Sequence, residues 1–153
     1  MAFHILPAPE AVRFIDFNTI GLLLGMMIMV GILSRTGVFQ YVAIKTMKLT
    51  RGNGLITMGA LAMVTAVLSA FLDNVTTVLL VCPIIISLAD LMEFDPVPLL
   101  VAVTLASNIG GTATLIGDPP NIIIGSYGDL AFMEFIINLG PPVALILVVV
   151  LAY

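Results

Sequence analysis

Between Leu55 and Ala89 the chain runs for 35 residues with a single charged side chain, Asp73. One continuous helix of that length would measure about 52 Å, against a bilayer hydrocarbon core of about 30 Å. The segment must therefore fold back, and only Asp73-Asn74-Val75-Thr76-Thr77 is polar enough to turn it. Dividing there gives arms 55–72 and 78–89, about 27 and 18 Å long. The second arm is short for a crossing and carries Pro83. A re-entrant hairpin over 55–89, its polar tip at mid-depth, fits better than the alternative of two full spans.

The remainder of the chain agrees with a membrane setting. Of 153 residues, 61% are hydrophobic and 9% charged, with a mean hydropathy of +1.23. Soluble domains run at about 45–50% apolar and about 25% charged. So few charges cannot solvate the surface of a water-soluble globule, and the same numbers exclude disorder. Five basic residues against nine acidic exclude a nucleic-acid partner, and the lone Cys82 excludes a disulfide framework. The expected fold class is an all-α polytopic integral membrane protein, with the lipid bilayer as its first partner. The start, MAFHILPAPE, shows neither a basic n-region nor a small-residue cleavage site. The end, VALILVVVLAY, stops inside an apolar run, which reads as a fragment or as a unit that needs a second half.

Residues 1–16 form a polar lead with His4, Arg13 and Asp16, and 17–33 are uncharged and long enough for a transmembrane helix. Gly21 and Gly25 form a small-xxx-small pair, either a close-approach surface or ordinary transmembrane composition. Residues 34–54 mix apolar side chains with Arg35, Lys45, Lys48 and Arg51, which suits an interfacial helix over 36–50 closed by Gly52-Asn53-Gly54. Four of the five basic residues lie in this segment, so the positive-inside bias makes 34–54 cytoplasmic. Asp90, Glu93 and Asp95 form an acidic turn, closed by Pro96 and Pro98, where the hairpin returns to the same side.

Residues 97–126 are apolar at both ends, and neither end alone is long enough to cross. Their middle, Ser107-Asn108-Ile109-Gly110-Gly111-Thr112-Ala113-Thr114-Leu115-Ile116-Gly117-Asp118-Pro119-Pro120-Asn121, is hostile to a continuous helix. The reading is a broken transmembrane helix. Residues 134–153 then recross the membrane, with Glu134 as an interfacial charge or a minor coupling group.

Irregular backbone survives in hydrocarbon only where it faces protein or a water-filled cavity. The hairpin tip and the break are two such places, each presenting helix ends: free N–H groups for an anion, carbonyl oxygens for a cation such as Na⁺. Broken helices near the bilayer midplane are the usual construction of secondary-transporter sites. Asp73 and Asp118 put a carboxylate at each, and intramembrane carboxylates usually face an internal cavity. Asp73 is also readable as the N-cap of the second arm and Asp118 as a turn residue before Pro119-Pro120. Asn74, Thr76, Thr77, Ser107, Asn108, Thr112 and Thr114 offer oxygens to a hard cation, or equally to helix-packing hydrogen bonds. Cys82 and the nine Met read as packing residues.

FLDNVTTVLL followed by ASNIGGTATLIGDPPNIIIGS resembles the ion transporter superfamily, and within it the ArsB/NhaD-type permeases: arsenite pumps, Na⁺/H⁺ antiporters and P protein-like carriers with a citrate transporter-like domain. The resemblance runs from Asp16 to the end. It implies that residues 1–153 are the first of two inverted repeats, with a missing second repeat as partner and a homodimer as the common assembly. It further implies that Asp73, Asn74, Thr76 and Thr77, with Ser107, Asn108, Gly110, Gly111, Thr112, Thr114, Gly117, Asp118, Pro119, Pro120 and Asn121, form one cation site and half a substrate site. Na⁺ would sit near Asp73, Asn74, Gly110 and Gly111.

The function this implies is secondary active transport of a small inorganic ion, an arsenite-like oxyacid or Na⁺ exchanged with H⁺, in the plasma membrane. No cofactor is expected beyond the coupling ion, Na⁺ or H⁺. Asp73 would exchange that ion, while Asp118 and Asn121 hold the broken helix open. The related dicarboxylate symporters have Ser-Asn-Thr at the tip and Gly-Thr-Pro-Pro-Asn in the break. Two added acids repel a dianion, which lowers a citrate-type symporter to the alternative. A non-transporting membrane subunit is a further class. An aspartyl intramembrane protease fails on both signatures, since Leu72 precedes Asp73 and Leu115 stands where its first Gly is required.

Overall fold

The computed structural model describes residues 15–51 and 53–152. Readings that fall on residues 1–14, including His4 and Arg13, and on Gly52 and Tyr153 lie outside the described residues. Those described form seven helices and no strand: α1 (Phe17–Ser34), α2 (Val38–Leu49), α3 (Gly54–Phe71), α4 (Asn74–Met92), α5 (Val97–Gly111), α6 (Pro119–Gly128) and α7 (Phe132–Ala152). The chain is an all-α polytopic membrane protein, and α1, α3 and α7 are long and apolar enough to cross a bilayer.

Helix boundaries follow local chemistry. Asp16 caps α1 by accepting from the Asn18 and Thr19 amides, and Asn53 caps α3 by accepting from Ile56 N. Gly37, at φ 75°, supplies the left-handed turn between α1 and α2. The exposed Lys45 ammonium lies 5.6 Å from the centre of the Tyr41 ring on α2, a cation–π pair on the helix that carries Lys45 and Lys48.

The hairpin differs from its sequence reading at the turn. Asp73 caps α4, so Asn74, Thr76 and Thr77 form its first helical turn and only Leu72 and Asp73 lie between the arms. A cap recruits the residues behind it into the helix, which composition alone does not reveal. The arms α3 and α4, of 18 and 19 residues, are therefore of nearly equal length, about 27 and 28 Å. Their length alone does not make the second a half-crossing. The 97–126 segment comprises α5, about 22 Å long, and α6, about 15 Å, with residues 112–118 non-helical between them.

The bases of α2, α3, α4 and α5 are joined by an apolar core of Ala43, Leu61, Val81, Ile85, Leu99 and Val103. Further along, α3 and α5 meet across small residues, Ala62 and Ala66 against Ala106, with Leu147 of α7 beside them. Close approach is thus made by this alanine and glycine seam. A Cβ placed on Gly21, Gly25 or Gly31 would meet nothing within 4 Å, so the glycines of α1 make no close approach among the described residues.

Candidate functional site

The hairpin tip is organised by one side chain. Asp73 Oδ1 accepts from the Thr76 amide at 2.8 Å, and Oδ2 accepts from the Thr76 hydroxyl. The Asp73 carbonyl accepts from the Thr77 amide at 3.0 Å and from the Thr77 hydroxyl at 2.9 Å. Asp73, Asn74 and Thr77 are buried.

The break is held against this tip by hydrogen bonds that satisfy its irregular backbone. The Asn74 amide donates to the Gly117 carbonyl at 3.1 Å, and Asn74 Nδ2 donates to Asn108 Oδ1 at 3.0 Å. The Ser107 hydroxyl lies 3.1 Å from both the Asn74 carbonyl and Ser69 Oγ, while Ser69 Oγ donates to the Ser107 carbonyl at 2.7 Å. The Thr114 hydroxyl donates to the Ala70 carbonyl and accepts from Gly117 N at 3.2 Å. Asn121 Nδ2 donates to the Thr114 and Gly111 carbonyls at 2.9 and 3.2 Å, tying the start of α6 to the end of α5. Among the described residues no buried side-chain nitrogen or oxygen lacks a partner. That is the condition under which non-helical chain persists inside a bilayer.

The glycines here are sterically required. A Cβ on Gly110 would stand 2.6 Å from the Ala66 Cα and carbonyl carbon, inside the backbone of α3. One on Gly111 would stand 2.7 Å from the Gly117 carbonyl oxygen, and one on Gly117 would stand 2.7 Å from that of Ser69. The break can lie on the hairpin only because these positions have no side chain.

Asp118 occupies the N-cap of α6 with extended backbone, φ −147° and ψ 134°, yet its carboxylate makes no cap bond. Pro119 and Pro120 fill the first two helical positions and have no N–H to offer. The Asn121 amide goes to the Asp118 carbonyl at 3.0 Å. Asp118 is half-buried, and the bond from the Asn74 amide to the Gly117 carbonyl sets it beside the hairpin tip.

Electrostatically, the N-termini of α4 and α6 and the C-termini of α3 and α5 all lie at this junction. Each N-terminus would attract an anion, but each already has an aspartate at its cap. The carbonyl ends of α3 and α5 are favourable to a cation. No group of three or more His, Cys, Asp or Glu gathers among the described residues. The donors are carboxylate, amide, hydroxyl and backbone oxygens, a set suited to a hard cation.

A family profile described as citrate transporter matches residues 1–153. The chain belongs to the citrate transporter family. It is 49% identical to an uncharacterized transporter of Mycobacterium tuberculosis over 138 residues, which is 90% of this chain and 32% of the relative. The 46 kDa membrane protein of Mycobacterium leprae matches at the same identity and coverage. Human P protein is 50% identical over 124 residues, 81% of this chain and 15% of P protein. The chain thus spans about a third of the length of its mycobacterial relatives. No solved structure matches it. The family and these relatives give no support to the protease reading.

Within this citrate transporter family chain, the predicted residues are not all used alike. Asp73, Asn74, Thr77, Ser107, Gly111, Thr114, Gly117 and Asn121 are buried in one connected junction, with Thr76 joined through Asp73 and the exposed Asn108 through Asn74. Gly110 packs against α3, and its carbonyl accepts from the Ala113 amide at 3.0 Å. Thr112 is exposed, its hydroxyl donating to its own helix at the Ile109 carbonyl, and Pro120 is exposed as well. Pro119 is half-buried at the start of α6. Sequence reasoning missed Ser69, which is fully buried and bridges the arm α3 to Ser107. Its signal was present: Thr57, Thr65 and Ser69 are spaced by multiples of four, one helix face of polar residues in an apolar helix. Glu134 is exposed and accepts from the Ala131 amide at 3.3 Å, at the start of α7.

Proposed function

We propose that this chain forms one half of the core of an ion-coupled secondary transporter, whose cargo is a small inorganic ion and whose coupling ion, Na⁺ or H⁺, binds where the hairpin tip meets the break. The observation that carries this reading is the junction itself: two polar interruptions of apolar helices, each with an aspartate, hydrogen-bonded to one another. In this reading the hairpin is re-entrant, residues 34–54 face the cytoplasm, and the protein resides in the plasma membrane. A second inverted repeat completes the site, and the assembly is a homodimer. The two aspartates at the helix N-termini favour a cation or a neutral oxyacid, because they occupy the positions an anion would otherwise take.

A Na⁺-coupled citrate-type symporter is the second reading, favoured by the description of the family. The two separate in proteoliposomes that hold the complete protein, loaded in turn with arsenite, radiolabelled Na⁺ and labelled citrate. Uptake of arsenite, or Na⁺ exchange driven by a proton gradient, is the expected result. Uptake of citrate alone would replace the first reading with the second, and no movement of any of the three would overturn both.

A further inference from the structure

Two aspartates stand at N-caps in one junction, and the residues behind them decide what each carboxylate is free to do. Behind Asp73 the sequence is Asn74-Val75-Thr76-Thr77, and both carboxylate oxygens are taken up by Thr76. Behind Asp118 the sequence is Pro119-Pro120-Asn121, and the first two residues of α6 have no N–H. The third N–H, that of Asn121, is bound by the Asp118 carbonyl. The Asp118 side chain makes no hydrogen bond among the described residues, although it is half-buried within an otherwise satisfied polar junction. Asp73 is brought close by the bond from the Asn74 amide to the Gly117 carbonyl, 3.1 Å long, and its own oxygens are committed.

We propose that Asp118, not Asp73, is the carboxylate that takes up and releases the coupling ion, and that Asp73 is a positioning residue that holds the hairpin tip in shape. The proposal rests on the transporter reading above and reverses the roles expected of the two acids from sequence. A carboxylate that exchanges a proton or Na⁺ must bind and let go without unmaking the backbone around it. Drawing the Asp73 oxygens away to hold an ion would take them from the Thr76 amide and hydroxyl that close the first turn of α4, whereas the double proline leaves Asp118 with no structural bond to lose. The neighbouring Asp73 charge favours a bound cation at Asp118 when both are ionised.

Two measurements on the complete protein test this. The first needs no known cargo: membranes are treated with dicyclohexylcarbodiimide, which attacks protonated carboxyl groups in apolar surroundings, and the labelled residue is located by peptide mass spectrometry. Label on Asp118, lost as pH rises and reduced by Na⁺, is expected. Label on Asp73 in preference, or equally on both, overturns the assignment. The second compares variants in the vesicle assay. Asp73→Asn is expected to keep the pH and Na⁺ dependence, because Asn caps a helix about as well as Asp. Asp118→Asn is expected to lose it, and Asp118→Glu to retain it. An Asp118→Asn protein with the unaltered pH profile overturns the proposal while leaving transport intact. Unsubstituted protein that carries none of the three cargos overturns the transport reading, and the coupling role with it, even where Asp118 takes the label.

Discussion

The hairpin tip and the break solve the same problem by opposite means. Both interrupt apolar helices, and both begin the next helix with an aspartate. At the tip the interruption is two residues long and the aspartate does the closing, with Thr76 and Thr77 folded onto it. In the break the chain is non-helical over 112–118 and other groups do the closing: the Asn121 amide group, the Thr114 hydroxyl, and glycines that let backbone lie on backbone. An acid that is structurally necessary and an acid that is structurally idle can thus stand side by side. The three residues C-terminal to each tell them apart.

The largest effect is expected from Gly110→Ala. Its Cβ would enter the α3 backbone at Ala66, and an overpacked contact of this kind costs about 1–3 kcal/mol or more. Detergent-solubilised protein should lose its monodisperse elution and melt earlier. Gly21→Ala, with open space around it, should melt no lower than the unsubstituted protein. A normal melt for Gly110→Ala would mean that the break does not press on the hairpin.

Next in size is the difference between the two aspartates. Asp73→Ala removes a cap and should lower stability by about 1 kcal/mol. Asp118→Ala removes no hydrogen bond and should change it by less than about 0.5 kcal/mol. Thermal unfolding of the two variants side by side checks this, and equal losses would erase the contrast between tip and break.

The smallest effect concerns a third capping aspartate, at the start of α1. Hydrogen bonds from the Thr19 and Ser126 hydroxyls hold the Asp16 carboxyl below its ordinary value of 3.8, tying α1 to α6. A carboxyl whose folded value is lowered stabilises the fold above its unfolded value, and that contribution disappears as pH falls through the folded value. Melting temperature should therefore drop slightly on acidification below about pH 4. Asp16→Asn should flatten that part of the drop, as read by melts at stepped pH.

Much of this was legible in the sequence. The uncharged run from Leu55 to Ala89, broken only by Asp73, forces a fold-back, and Gly110, Gly111, Gly117, Pro119 and Pro120 forbid a continuous fifth helix, because both follow from lengths and forbidden conformations. The location of the tip was legible. The reading of Asp73 as an N-cap, which the structure bears out, already placed Thr76 and Thr77 in the helix, whereas the division into arms 55–72 and 78–89 left them in the turn. The seam between α3 and α5 was overlooked. Alanine is ordinary in any helix, and Ala62, Ala66 and Ala106 acquire meaning only once Gly110 stands opposite. Conversely, Gly21 and Gly25 displayed the expected spacing without a neighbour to receive them. The separate uses of Asp73 and Asp118 were in principle readable, because proline's missing N–H is a property of sequence. It becomes visible only when one asks which donors each carboxylate would find.

Where Gly110 meets Ala66, no side chain lies between the two helices to act as a bearing. Sliding α5 past α3 would drag main chain over main chain, and parting them would strip the Ser69 and Thr114 hydroxyls from their acceptors. Hairpin and break are thus joined main chain to main chain as a single casting, whereas α1 and α7 are sparsely buried among the described residues.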